Sequence, residues 1–359
     1  MSRVFNFGAG PAVLPLEVLE EAQSQLVDFR GSGISILEHS HRGKEYDAVH
    51  QEAVANLKTL MNLSDDYVVL FLQGGASAQF AIVPMNLLGA GQTADYIHSG
   101  SWAKKAISEA KIVGKVNIAA DTSAEKPARM PRENELKFTP GAAYVHITSN
   151  ETIDGTQFKT FPKTAAPLVA DMSSDFLSRP FDAKQFGLIY AGAQKNVGPA
   201  GTAVVAMRKD LAARCPATVP KFFRYATHIE ENSLYNTPSC FTIYVIMLVT
   251  RWLLKNGLET IYKRNTDKAA KLYEAIDRSG AFYKGTAARD SRSDMNVTFR
   301  LPSEALEEAF VKEASKNGMK GLKGHRSVGG IRASIYNAFP VAGVDTLVGF
   351  MEEFRGRNG

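Results

Sequence analysis

Apolar positions in the first part of the chain recur at two spacings. Leu16, Leu19, Leu26 and Phe29 follow a helical repeat behind Pro15, and Gly31 and Gly33 stand where such a helix would stop, so residues 15–29 are expected to be helical. A second amphipathic helix is expected over residues 44–61. The run Tyr67-Val68-Val69-Leu70-Phe71-Leu72, bounded by Gly74-Gly75, has the continuous apolar pattern of a strand buried on both faces, and helical texture resumes at Ala78. Further strands are expected at 95–98, 143–147, 168–170, 188–191 and 202–207, with helical or irregular segments between most of them. This alternation predicts an α/β fold with a mostly parallel sheet covered by helices.

The texture shifts near Leu258. A long charged helix to about Ser279, a strand at 296–300, a helix from Ser303, a strand near 331–335 and a terminal helix predict a smaller α+β domain. Because 359 residues exceed what one hydrophobic core usually holds, two domains and a cleft between them are expected. The expected division is an N-terminal segment, 1–15, packing near the active site, a large domain, 16–257, and a small C-terminal domain, 258–359. The apolar run 241–254 is short for a bilayer span and is broken by Arg251, so it is expected to be a core helix.

Composition narrows the partners. With 45% hydrophobic and 22% charged residues the chain is an ordinary globular protein, and a net charge of +5 without a block of like charges points to neither a nucleic-acid nor a membrane partner. The mild basic excess suits acidic small molecules. Two cysteines, Cys215 and Cys240, without a CxxC pair exclude a disulfide framework and a structural zinc site; with no apolar leader at the start, a cytoplasmic location is expected.

Candidate chemistry concentrates between the last two strands of the larger unit. In Gly192-Ala193-Gln194-Lys195-Asn196-Val197-Gly198, small residues let another molecule approach the backbone, and a desolvated Lys195 there has the character of an amine nucleophile toward a carbonyl. Asp171 closes the strand Leu168-Val169-Ala170, and ligands gather at the carboxyl ends of strands in open α/β sheets, so Asp171 and Lys195 are candidates for one pocket. An aspartate there suits a pyridinium nitrogen. Gly74-Gly75-Ala76-Ser77 has the outline of a phosphate site at a helix start, and Trp102, behind Ser99-Gly100-Ser101, is placed to stack on a planar ring. His41-Arg42, His325-Arg326 and Arg332 are candidate anion grips.

Taken in order, Phe5-Asn6-Phe7-Gly8-Ala9-Gly10-Pro11-Ala12, His41-Arg42-Gly43-Lys44, Asn150-Glu151-Thr152-Ile153-Asp154-Gly155, Gly192-Ala193-Gln194-Lys195-Asn196, Tyr235-Asn236-Thr237-Pro238 and Lys323-Gly324-His325-Arg326 cover essentially the whole chain. Together with Arg332-Ala333-Ser334-Ile335-Tyr336-Asn337 they resemble the phosphoserine aminotransferases, class V aminotransferases of the fold type I that binds pyridoxal 5'-phosphate. The resemblance implies transamination between glutamate and 3-phosphohydroxypyruvate, and in some members 4-phosphohydroxythreonine formation for vitamin B6. It implies that Lys195 holds the cofactor aldehyde covalently, Asp171 pairs with the pyridine nitrogen, Trp102 stacks on the ring and Thr152 bonds the ring hydroxyl. Ala76, Ser77 and Gln194 would bind the cofactor phosphate, joined by Asn236 and Thr237 from the second subunit of a homodimer with shared active sites. Arg332 would take the substrate α-carboxylate, while His41, Arg42, His325 and Arg326 receive the distal phosphate or carboxylate, some of them from the partner chain. Some members carry an arginine where this chain has Ser77 and a serine where it has Ala9.

Other classes fit less well. A cysteine desulfurase needs a cysteine on a mobile loop, whereas Cys215 adjoins Pro216 and Cys240 starts an apolar helix. A nicotinamide enzyme would use Gly89-Ala90-Gly91-Gln92-Thr93-Ala94, but that run precedes a strand rather than opening a helix. An alanine–glyoxylate or serine–pyruvate aminotransferase is the closer alternative, separated from the phosphoserine enzymes by the basic residues alone.

Overall fold

The computed structural model describes residues 3–359. Its centre is a seven-stranded sheet, whose strands in chain order are β1 (Tyr67–Gln73), β2 (Thr93–His98), β3 (Lys115–Asp121), β4 (Val145–Thr148), β5 (Leu168–Asp171), β6 (Phe186–Gly192) and β7 (Thr202–Arg208). Across the sheet they run β1-β7-β6-β5-β4-β2-β3. Six are mutually parallel, and β7 is antiparallel to both of its neighbours.

The strands are apolar throughout because both faces are covered. Leu70 and Leu72 of β1 pack with Phe80, Val83 and Ile107, from the helices Gly75–Leu87 and Ser101–Val113. Val69 and Phe71 face the opposite layer, with Val49 and Ala53 of helix Lys44–Leu60 and Ile246 of helix Cys240–Asn256. The period-two alternation thus sorts one strand between two cores, as a three-layer architecture requires. Among the described residues no helix is long and apolar enough to cross a membrane.

A second core gathers the chain's other end. Strands Lys284–Gly285, Asn296–Arg300 and Ile331–Ser334 form an antiparallel sheet, covered by helices Glu304–Lys316 and Val341–Asn358. Helix Leu258–Asp277 joins the cores: Ile261 belongs to the large one, Leu272 and Ile276 to the small one. Phe7, near the N-terminus, is buried in the small core, and Phe5–Asn6 pairs in parallel with Met319–Lys320.

The structure departs from the periodicity in two places. The first helix covers only Leu16–Ser24, and Phe29–Gly31 forms a separate 3-10 turn in which Arg30 takes a positive φ of 52°. The apolar repeat continues through the break because Phe29 still reaches the core after the helix has ended. The edge strand β3 has no matching expectation, since only Ala119 of Lys115–Asp121 is fully buried and an edge strand with one open side shows little apolar signal.

Candidate active site

All six parallel strands deliver their carboxyl ends to one edge of the sheet, and the candidate residues cluster there. β6 ends at Gly192 and runs into a tight turn in which Val197 and Gly198 donate back to the Ala193 carbonyl at 3.3 and 2.9 Å. This turn swings Lys195 beneath the sheet edge. Gly198 is required by packing, because a Cβ there would stand 2.6 Å from Ile246 Cγ1. The N-terminal segment lies across the same turn: Ala12 N donates to Gln194 O at 2.8 Å, and a Cβ on Gly10 would meet Lys195 Cγ at 3.6 Å.

Lys195 is buried, and its Nζ donates to Thr152 Oγ1 at 2.6 Å. Thr152 passes its own proton to Ser174 Oγ at 3.0 Å, and Ser174 donates to Asn150 O at 2.9 Å, so the hydroxyl facing the lysine has a fixed direction. Burial lowers the Lys195 amine to about 8, against the opposing pull of the Asp171 charge. Such an amine is partly neutral near physiological pH, where an ordinary lysine is not.

Asp171, at the end of β5, is buried as well. Its Oδ1 accepts both the Ser173 N–H (2.9 Å) and the Ser173 hydroxyl (2.6 Å), while Oδ2 has no hydrogen-bond donor among the described residues. Burial pushes this carboxyl up, and Ser173 and Lys195 pull it down. The Trp102 ring lies 5.4 Å from Lys195 Nζ, and its Nε1 is buried without a partner.

The start of helix Gly75–Leu87 has the expected anion geometry. Gly74 takes φ +90°, and a Cβ there would stand 2.6 Å from Ala78 Cβ, so only glycine makes the turn. Ala78 is the first residue to bond back, to Gly74 O at 3.4 Å, leaving the amides of Ala76 and Ser77 free of helical partners. Gln194 closes on this helix start: a Cβ on Gly192 would sit 3.2 Å from Gln194 Oε1 and 3.5 Å from Ala76 N.

Arg332 comes from the small domain's strand Ile331–Ser334. Its side chain makes no hydrogen bond or ion pair among the described residues, its Nε is buried without a partner, and burial lowers its pKa. A half-buried guanidinium without a counter-ion among the described residues is poised for an anion from outside. His325 and Arg332 line a cavity of about 320 Å³ together with Asp154, Lys126 and Arg300. His325 Nδ1 accepts the Ser327 amide at 3.2 Å, which leaves Nε2 as the protonated nitrogen. Desolvation, and then the positive charges of Arg332, Lys105 and Arg326, lower its pKa.

The remaining candidates stand elsewhere in the single chain. His41 and Arg42 precede helix Lys44–Leu60 and have no side-chain hydrogen bond to the pocket. Asn236 and Thr237 lie in the turn before helix Cys240–Asn256, where Gln73 Nε2 and Asn236 Nδ2 both reach Thr237 O, at 2.9 and 3.2 Å. Arg326 is exposed. Conversely, Ser173 and Ser174, which orient Asp171 and Thr152, carry no apolar or charge pattern of their own; their position two and three residues after a strand-ending aspartate is the signal that marks them.

The orphaned groups define what fits. Free helix-start amides suit a phosphate, an open Asp171 oxygen suits a protonated ring nitrogen, the indole of Trp102 beside Lys195 suits a flat ring, and a depressed lysine suits an aldehyde. Pyridoxal 5'-phosphate carries all four features. The model of the family described as aminotransferase class-V matches residues 4–347. A phosphoserine aminotransferase of Desulfatibacillum aliphaticivorans is 57% identical, covering 100% of this chain and 99% of its own. The solved phosphoserine aminotransferase of Bacillus circulans subsp. alkalophilus superposes with a TM-score of 0.98 at 55% identity, over 99% of both chains. A phosphoserine aminotransferase solved with PLP bound, from Trichomonas vaginalis, superposes with a TM-score of 0.94 at 40% identity, over 98% of this chain and 100% of its own.

Proposed function

Because this chain belongs to the class-V aminotransferases, a family that works with pyridoxal 5'-phosphate, we propose that it moves the amino group of glutamate to 3-phosphohydroxypyruvate, giving O-phosphoserine and 2-oxoglutarate. The observation that carries this is the meeting of a buried Lys195, bonded to Thr152, with Asp171 and an unpaired Arg332 at one sheet edge. The full-length relatives named above are phosphoserine aminotransferases, which favours a phosphorylated substrate over glyoxylate or pyruvate.

When bound, the cofactor supplies an aldehyde for amine capture and a ring that accepts the electron pair released at the substrate Cα. Lys195 provides the amine that holds it and, once free, takes the proton from Cα. The same burial that makes Lys195 a usable base also makes it a nucleophile. Asp171, with Oδ1 fixed by Ser173, turns Oδ2 to the ring nitrogen and keeps a proton there. Ala76, Ser77 and Gln194 hold the phosphate, Trp102 covers the ring and Thr152 meets its hydroxyl. Arg332 grips the α-carboxylate with its planar fork.

The second anionic end of the substrate falls to His325 and Arg326 of the same chain and to His41 and Arg42, which reach the site in a homodimer. Asn236 and Thr237 of the second copy complete the phosphate cradle. The enzyme works in the cytoplasm, in serine biosynthesis and, through 4-phosphohydroxythreonine, in pyridoxine biosynthesis.

The test is a set of half-reactions, followed by the absorption of the loaded protein after O-phosphoserine, glutamate, serine or alanine is added alone. Conversion by O-phosphoserine and glutamate, but not by serine and alanine, is the expected result. A preference for serine or alanine overturns the phosphate assignment, and failure to load pyridoxal phosphate overturns the enzyme.

A further inference from the structure

Glu151 is completely buried, and it has no cationic partner among the described residues. Its carboxylate is held by the start of helix Ser101–Val113: Oε2 accepts the Trp102 N–H at 2.8 Å, and Oε1 accepts the Ala103 N–H at 2.9 Å and the Ser99 hydroxyl at 3.3 Å. Asp154 Oδ2 takes the Ser101 N–H at 3.1 Å. Two carboxyl groups therefore grip the amides of the helix's first turn; burial and then the neighbouring Asp154 push the Glu151 carboxyl up to about 8, against the pull of the Ala103 and Trp102 N–H groups. The contact is close enough to dictate a neighbour, since a Cβ on Gly100 would stand 2.7 Å from Asp154 Oδ2 and 2.8 Å from Glu151 Cδ.

The grip joins two parts of the active site that share no other covalent or hydrogen-bonded link on these residues. Glu151 and Thr152 are consecutive. Glu151 holds the backbone of Trp102, whose ring lies 5.4 Å from Lys195 Nζ, while Thr152 holds Nζ itself at 2.6 Å. Their segment is itself rigid: Asn150–Glu151 pairs with Thr156–Gln157, Gly155 N donates to Glu151 O at 2.8 Å, and Asn150 Nδ2 reaches Ser174 Oγ and Asn296 Oδ1, both at 2.8 Å. The gap between the indole and the lysine is thus held by this grip, to which the buried Glu151 contributes the bond to Trp102 itself.

We propose that Glu151 is a positioning residue for the cofactor pocket, acting through the Trp102 backbone to hold the indole at the right distance from Lys195 and Thr152. This rests on Trp102 being the surface on which the cofactor ring packs. In Glu151→Gln the side chain keeps its size but one oxygen becomes an NH2 group, which must face the Trp102 or the Ala103 N–H donor. The first turn is then pushed away and takes the indole with it.

The experiment uses a Trp252→Phe background, so that Trp102 is the sole tryptophan of the chain. Glu151→Gln is expected to change Trp102 emission and near-ultraviolet circular dichroism in the cofactor-free protein, and to weaken pyridoxal phosphate binding in equilibrium dialysis by roughly tenfold or more. In an otherwise native chain with Trp102→Ala, the added Glu151→Gln is expected to change binding little, because its intermediary is gone. An unchanged Trp102 signal, or the same loss of affinity with and without Trp102, overturns the proposal. If Trp102→Ala alone leaves affinity intact, it is the role given to Trp102 that fails. Asp154→Asn, which weakens the same grip only at Ser101, is expected to give a smaller shift in both signals and carries the test if Glu151→Gln does not fold.

Discussion

Replacing Thr152 by valine isolates what one hydroxyl does to the buried Lys195 amine. Thr152 Oγ1 accepts the hydrogen bond of Lys195 Nζ at 2.6 Å, a contact that favours the protonated amine. Valine keeps the shape and leaves Ser174 satisfied, since Asn150 Nδ2 still donates to it and Asn150 O still accepts from it. A hydrogen bond to a charged group contributes about 1.5–3 kcal/mol, part of which survives for the neutral amine, so the difference between the two protonation states is about 1.4 kcal/mol. That corresponds to a titration midpoint about one pH unit lower. The assay is acylation of Lys195 in the cofactor-free protein across the alkaline range, with the Lys195 peptide quantified by mass spectrometry. Wild type is expected to titrate near 8, Thr152→Val lower, and Thr152→Ser near wild type. A wild-type midpoint at the ordinary lysine value refutes the burial argument, and an unshifted or raised midpoint in Thr152→Val refutes the role of the hydroxyl.

Two further outcomes follow from the same kind of accounting. Lys268 is fully buried with its Nζ 2.8, 2.7 and 3.2 Å from the carbonyls of Ile335, Tyr336 and Phe339, and burial, with the Arg264 charge adding to it, lowers its pKa to about 7. Between about 7 and the ordinary 10.5 the unfolded chain binds this proton and the folded chain does not, so Lys268 makes stability rise with pH in that window; urea denaturation of Lys268→Met is expected to show a flatter rise, and an identical pH slope contradicts the shift. Lys195→Ala and Arg42→Ala are each expected to be inactive, whereas co-expression is expected to return roughly a quarter of native activity through hybrid dimers with one intact site. No recovery on mixing speaks against a shared site.

How far each feature is visible in the sequence depends on how local its cause is. The strand Tyr67–Gln73 is legible because burial on both faces leaves a continuous apolar run, and the helix start at Gly74 is legible because a positive φ demands glycine. Asp171 and Lys195 are legible as strand-end residues, but their common pocket follows from the parallel order of β5 and β6, which no local pattern encodes. The break after Ser24 is hidden because Phe29 keeps the helical repeat while using a different backbone. Glu151 is the most instructive case: its charge suggests an exposed turn, and its complete burial becomes intelligible only when the helix start that it caps, far away in sequence, is brought against it.

The placement of the cations bears on how one pocket serves two substrates. Of the basic candidates, Arg332 and His325 line one cavity and come from the part of the chain that builds the small core, whereas Asp171 ends a strand of the large sheet and Lys195 lies in the turn after the next strand. The groups proposed to grip the substrate and to move its proton are therefore carried by different parts of the chain. Helix Leu258–Asp277 crosses between them, Asn265 Nδ2 bonds Ser178 O and Asn337 Oδ1, and Asn337 N reaches Asn196 Oδ1 beside the lysine. These bonds tie the segment after Arg332 to the lysine turn by polar contacts adjacent to Lys195 itself. If Arg332 takes the α-carboxylate as proposed, these contacts place it in a register with Nζ that does not depend on whether the substrate's far end is a carboxylate or a phosphate. On the proposed function, discrimination between those ends falls to the remaining basic residues, His41, Arg42, His325 and Arg326, rather than to Arg332.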